Sequence, residues 1–110
     1  MNGILINPFK KTVTEIEIGN SLDDVYSALT NLDIGFVNMV ERLPIVGQED
    51  LWVDEEGLYK AHQKVFCFPP CGFTPIRGKA LILGVNDHGD SWGSTTLAIE
   101  LVYKTIIWES

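Results

Sequence analysis

Lys79-Ala80-Leu81-Ile82-Leu83-Gly84-Val85 is the most apolar stretch of the chain, and its reading decides the fold. It is strand-length and apolar at nearly every position, which suits a strand covered on both faces at the centre of a sheet. Upstream, Val65-Phe66-Cys67-Phe68 and Leu51-Trp52-Val53 are shorter strand candidates. Phe36 to Leu43 reads as another, ended by Pro44. At the start, Gly3 to Asn7 and the alternating Val13-Thr14-Glu15-Ile16-Glu17-Ile18 predict two strands. Pro8 to Thr12 joins them as a hairpin link. Downstream, Asn86 to Asp90 reads as a loop. Ser94, Thr95 and Thr96 then offer caps for a helix carrying Leu97, Ile99, Leu101 and Val102. Thr105 to Trp108 predicts a last short strand.

One earlier helix is expected from about Ser21 to Asn31. Ser21 and Asp24 stand at capping-box spacing. Leu22, Val25, Tyr26 and Leu29 share one helical face, and Asp23 and Asp24 fall in the first turn, where the helix dipole favours anions. Asp54-Glu55-Glu56-Gly57 has turn chemistry, and the prolines of Pro69-Pro70-Cys71-Gly72-Phe73-Thr74-Pro75 argue against regular structure there. The element order is β-β-α-β-β-β-β-α-β. With few βαβ crossovers it predicts an α+β fold, a single mostly antiparallel sheet with one or two helices packed on it. Residues 1–110 read as a single domain.

The chain has 110 residues, 45% hydrophobic and 21% charged, enough to bury a core without staples. Its net charge of −7 arises entirely between residues 21 and 60, where nine acids face two bases. No stripe of Lys and Arg is present, so direct nucleic-acid binding is not expected, nor is an anionic membrane surface. No signal-like or membrane-length apolar run occurs, which points to a cytoplasmic protein with reduced thiols.

Chemical candidates are sparse. Cys67 and Cys71, with His62 and His88, could number four zinc ligands, but the spacing fits no paired motif, and no metal or cofactor is expected. No catalytic residue set can be proposed from spacing. Asp54, Glu55, Glu56, Asp87 and Asp90 would form an acidic site only if two turns met in space. Two surfaces remain. The first is the acidic patch Glu49, Asp50, Trp52, Glu55 and Glu56, a candidate partner-binding surface. The second is a small-ligand pocket between the proline loop and the loop before Trp92. It would use Phe73, Arg77, Lys79, Asp87, Asp90 and Trp92, with Arg77 suited to a phosphate.

Several of these pieces also resemble a known family. Ile4-Leu5-Ile6-Asn7-Pro8, Thr14-Glu15-Ile16-Glu17, Trp52-Val53-Asp54-Glu55-Glu56-Gly57-Leu58 and Gly78-Lys79-Ala80-Leu81-Ile82-Leu83-Gly84 with Gly89-Asp90 are similar, in order, to the family called domain of unknown function 3846. The Cys67 to Phe73 run departs from it. The resemblance implies an origin in a bacteriophage, plasmid or other mobile element, and it transfers no catalytic residue. The expected function is a non-enzymatic accessory protein that binds a host protein, such as a component of host defence. A nucleotide-type ligand binder is the alternative, and a metal-assisted hydrolase the third. A homodimer through an edge strand is compatible with all three.

Overall fold

The computed structural model describes residues 1–45, 47–86 and 91–109. Strands β1 (Asn2–Asn7) and β2 (Thr12–Glu17) form the expected hairpin, followed by helix α1 (Leu22–Leu29). Strands β3 (Val40–Ile45), β4 (Glu49–Asp54), β5 (Val65–Cys67), β6 (Ile76–Arg77), β7 (Ala80–Asn86) and β8 (Ser91–Gly93) follow. Helix α2 (Ile99–Thr105) and strand β9 (Ile107–Trp108) close the fold. Short 3-10 turns lie at Gly57–Tyr59 and Pro69–Cys71.

The expected α+β class and element order hold, with two short strands, β6 and β8, added to the order. The sheet is not single. A main sheet of order β2-β1-β7-β4-β3, with β8 also paired to β7, is joined by a three-stranded sheet β6-β5-β9. Every pairing in both is antiparallel. The second sheet escaped the sequence reading because strands of two or three residues carry too little pattern to detect.

β7 lies at the centre, as its composition requires. Ile4 and Leu51 flank Ile82 from either side, and Leu5 and Trp52 flank Leu81. Alternation sends these two rows to opposite faces. On one face Ile4, Ile6, Leu51, Val53, Ala80 and Ile82 pack against Phe66 and Ile76 of the small sheet, the adjoining Phe68, and Val102 and Ile106. On the other, Trp52, Leu81 and Leu83 pack against Val25 and Leu29 of α1 and against Val37. The main sheet is thus the middle of three layers.

Local chemistry explains the boundaries. Ser21 caps α1: its Oγ accepts from Asp24 N at 3.1 Å, and the Asp24 carboxylate accepts from Ser21 N at 3.4 Å. The strand expected from Phe36 begins only at Val40. Pro44 does not end it but sits inside it, opposite Asp50. An edge strand tolerates proline because half its N–H groups have no ladder partner. α2 begins at Ile99, after Ala98, without a side-chain cap. Thr95 and Thr96 are not its caps; they serve Glu49, as described below. No helix among the described residues is long and apolar enough to cross a membrane.

Candidate functional site

β4 connects two unlike environments. At its start, Glu49 lies on the small-sheet face and is 4% exposed. Its Oε1 accepts from Thr96 N at 2.6 Å, Thr95 Oγ1 at 2.8 Å and Thr96 Oγ1 at 3.1 Å. Its Oε2 is buried and has no partner among the described residues. Gly84 stands opposite Glu49 in the ladder. A Cβ there would lie 2.4 Å from the Ser94 carbonyl oxygen and 3.3 Å from Oε2, so only glycine lets the 94–96 segment come down onto the carboxylate.

The middle of β4 is equally committed to the fold. Asp50 and Trp52 point to the α1 face. Arg42 Nε donates to Asp50 Oδ2 at 2.9 Å, and the Arg42 guanidinium carbon lies 4.7 Å from the Trp52 ring centroid. Trp92 meets Trp52 edge to face, with centroids 5.1 Å apart. The acidic patch expected at Glu49, Asp50, Trp52, Glu55 and Glu56 is therefore not one surface. A strand alternates its side chains, and both faces of β4 are covered, so Glu49, Asp50 and Trp52 are withdrawn from solvent. Trp92, expected in the small-ligand pocket, packs on Trp52 instead.

The far end of β4 opens outward. Asp54 ends the strand and turns the chain: its Oδ1 accepts from Glu56 N at 2.9 Å and its Oδ2 from Lys60 Nζ at 2.6 Å. Lys60 Nζ also donates to the Phe36 carbonyl at 2.7 Å, and Glu55 N donates to the Met39 carbonyl at 3.0 Å. These bonds stitch residues 36–39 to residues 54–60. On the stitched surface Phe36 is 68% exposed, Met39 49%, Leu58 67% and Tyr59 85%. Asp33, Glu41 and Glu55, neighbours of these segments in sequence, are exposed, and Glu56 is half-buried.

Beside this rim runs an open groove of about 450 Å³ between β3, the Asp54–Gly57 turn and the proline loop. Leu43, Val53 and Ile76 supply apolar wall, Glu41 and Glu55 supply negative charge, and Arg77 is its one base among the described residues. Cys71 also lines it. Burial, reinforced by the Asp50 carboxylate, pushes the Cys71 thiol up to about 11. Cys67 and Cys71 are both free, and Cys67 Sγ lies 3.4 Å from the Phe73 carbonyl oxygen.

The residues of the expected ligand pocket do not converge. Arg77 lines the groove, whereas Lys79 Nζ reaches the other way, donating to the Thr30 carbonyl beyond α1 at 3.1 Å. Burial, with Lys10 adding to it, lowers the pKa of Lys79. Phe73 is 77% exposed and Trp92 is packed on Trp52. Asp87, His88 and Asp90 lie outside the described residues. Among those described, no three His, Cys, Asp or Glu residues cluster as a metal site would require.

The sequence missed the apolar half of the rim, although Phe36, Met39, Leu58 and Tyr59 were legible as residues. What brings the two segments together is the Lys60–Phe36 bond, which spans 24 positions, and the Glu55–Met39 bond.

Residues 1–106 match the family described as Domain of unknown function (DUF3846). The chain belongs to that family. Neither a curated protein nor a solved structure matches it. Membership accounts for the shared strand-and-turn segments but assigns the DUF3846 chain no reaction and no ligand.

Proposed function

We propose that this protein works by binding another protein, and that it does so through the rim at the far end of β4. The observation that carries the reading is the composition of that rim. Four large apolar side chains, Phe36, Met39, Leu58 and Tyr59, are exposed on two segments that hydrogen bonds hold together. Single exposed apolar residues are ordinary, but several gathered on two joined segments with acidic neighbours mark an interaction surface. The surrounding Asp33, Glu41 and Glu55 select a basic partner and speed its encounter. The one-sided origin of the net charge, between residues 21 and 60, works in the same direction.

In keeping with the family resemblance, the proposed setting is a mobile element in a host cytoplasm, and the partner a host protein. A photo-crosslinking residue at Tyr59 should trap one dominant basic partner in host lysate. Purified partner should then bind the DUF3846 protein, and Glu55→Arg with Tyr59→Ala should abolish that binding. Unchanged affinity in the double variant would refute the rim as the interface.

The small-ligand alternative keeps one support. The groove volume lies in the range of ligand sites, and Arg77 could meet an anion there. If nucleotides raise the melting temperature of the wild type but not of Arg77→Ala, this second reading prevails.

A further inference from the structure

The main sheet has two edges, and they are built differently. At the β3 edge, Pro44 interrupts the row of donors, and the Pro69–Cys71 turn packs against the strand, with Cys71 Sγ 4.0 Å from the Leu43 carbonyl oxygen. These devices blunt an edge against pairing. β2 has neither. It pairs with β1 without a break from Asn2–Glu17 to Asn7–Thr12, it holds no proline, and among the described residues no strand pairs with its outer side.

The direction of its free groups follows from the register. Met1 and Ile18 exchange both backbone bonds, at 2.9 and 2.7 Å. Bonded and non-bonded pairs alternate along an antiparallel ladder. Thr12, Thr14 and Ile16 therefore bond inward to β1, and Val13, Glu15 and Glu17 turn their N–H and C=O groups outward.

We propose that β2 is a pairing edge and that its occupant is a second copy of this chain, related by a two-fold axis through Thr14. The charge sequence carries the choice of occupant. Lys10, Lys11, Glu15 and Glu17 are all exposed, and this segment is neutral although the chain carries −7. Antiparallel self-pairing centred on Thr14 sets Val13 opposite Glu15 and brings Lys11 of each copy to Glu17 of the other. Centring on Glu15 would instead place two glutamates face to face, which is unfavourable. The register centred on Thr14 thus pairs opposite charges twice, with Lys11 supplied by the turn just before β2. α2 packs beside β2, and its exposed Leu101 and Tyr103 add apolar area to that side of the molecule.

Sedimentation velocity over a concentration series tests the proposal. The wild type should pass from monomer to dimer. Glu15→Pro removes an outward N–H while leaving the β1 ladder intact, and it should raise the midpoint concentration by roughly tenfold or more. Lys11→Glu and Glu17→Lys should each weaken the dimer, and the double reversal should restore it. The restoration keeps the test independent of any folding defect in a single variant. A wild type that stays monomeric up to its solubility limit overturns the proposal, even if it captures a foreign strand peptide. So does a dimer indifferent to Glu15→Pro, or a double reversal that fails to recover.

Discussion

Glu49 and Glu55 stand six positions apart on the same short stretch, and the fold puts them to opposite uses. Glu49, at the start of β4, is enclosed by Thr95, Thr96 and Gly84. Glu55, just past its end, donates its backbone N–H to Met39 and leaves its carboxylate in solvent beside exposed apolar side chains. Net charge cannot distinguish the two. One carboxylate is an internal fastener that holds the 94–96 segment to the sheet, and the other is surface. The contrast can be broken or sharpened by substitution.

The largest effect belongs to the enclosed end. Glu49→Ala removes the carboxylate that Thr96 N–H and two hydroxyls share at a part-buried site, and it should cost about 3 kcal/mol of unfolding free energy. Glu49→Gln keeps an acceptor at the Oε1 position and should cost less than half as much. Urea unfolding of the three proteins measures both. If Glu49→Ala is neutral, Glu49 is not the fastener, and the distinction between the two ends of β4 disappears.

The boundary between the ends is Asp54. Its side chain is 6% exposed and that of Lys60 18%, so removing the carboxylate leaves a largely buried ammonium group without its counter-charge. Asp54→Asn should cost about 2 kcal/mol. It should also weaken partner binding, because Lys60 no longer ties residue 36 to the turn. Lys60→Met, which removes the charge with its partner left behind, should loosen the rim in the same way. Hydrogen exchange at the Glu55 amide reads that loosening directly.

On the rim itself stability should hardly move. Tyr59→Ala and Glu55→Arg change exposed side chains and should stay within about 0.5 kcal/mol of wild type. Loss of binding without loss of stability would separate the outer end from the inner one. A large stability loss at Tyr59 would place that ring in the fold rather than at an interface.

How much of this was legible in the sequence varies along the chain for physical reasons. β7 was legible because full burial leaves a continuous apolar run, and α1 because its cap and its face are local signals within eight residues. The fate of Glu49 was not. Its donors lie 46 and 47 positions away, and no local pattern encodes a contact at that range. Thr95 and Thr96 looked like helix caps because a hydroxyl that caps a helix and one that caps a carboxylate are the same residue type. Trp52 and Trp92 looked available for the same reason: the edge-to-face contact between them depends on β8, a three-residue strand.

The smallest effect concerns Cys71, which borders the groove at the outer end. Burial and Asp50 hold its pKa near 11, against an ordinary 9.0. The folded chain therefore keeps this proton longer than the unfolded chain. Its contribution to stability is complete below pH 9.0 and is lost as pH rises to about 11. At neutral pH the thiolate fraction falls accordingly, and the greater nucleophilicity of a weaker acid offsets only part of the loss. In a Cys67→Ser background, alkylation of Cys71 should run roughly tenfold slower in the folded chain than in urea. A partner seated across the groove should slow it further, whereas one confined to Tyr59 and Leu58 should leave the rate alone. A folded chain that reacts as fast as the unfolded one would mean the proline turn does not stay closed on β3. The groove wall and the rim would then not form one continuous surface.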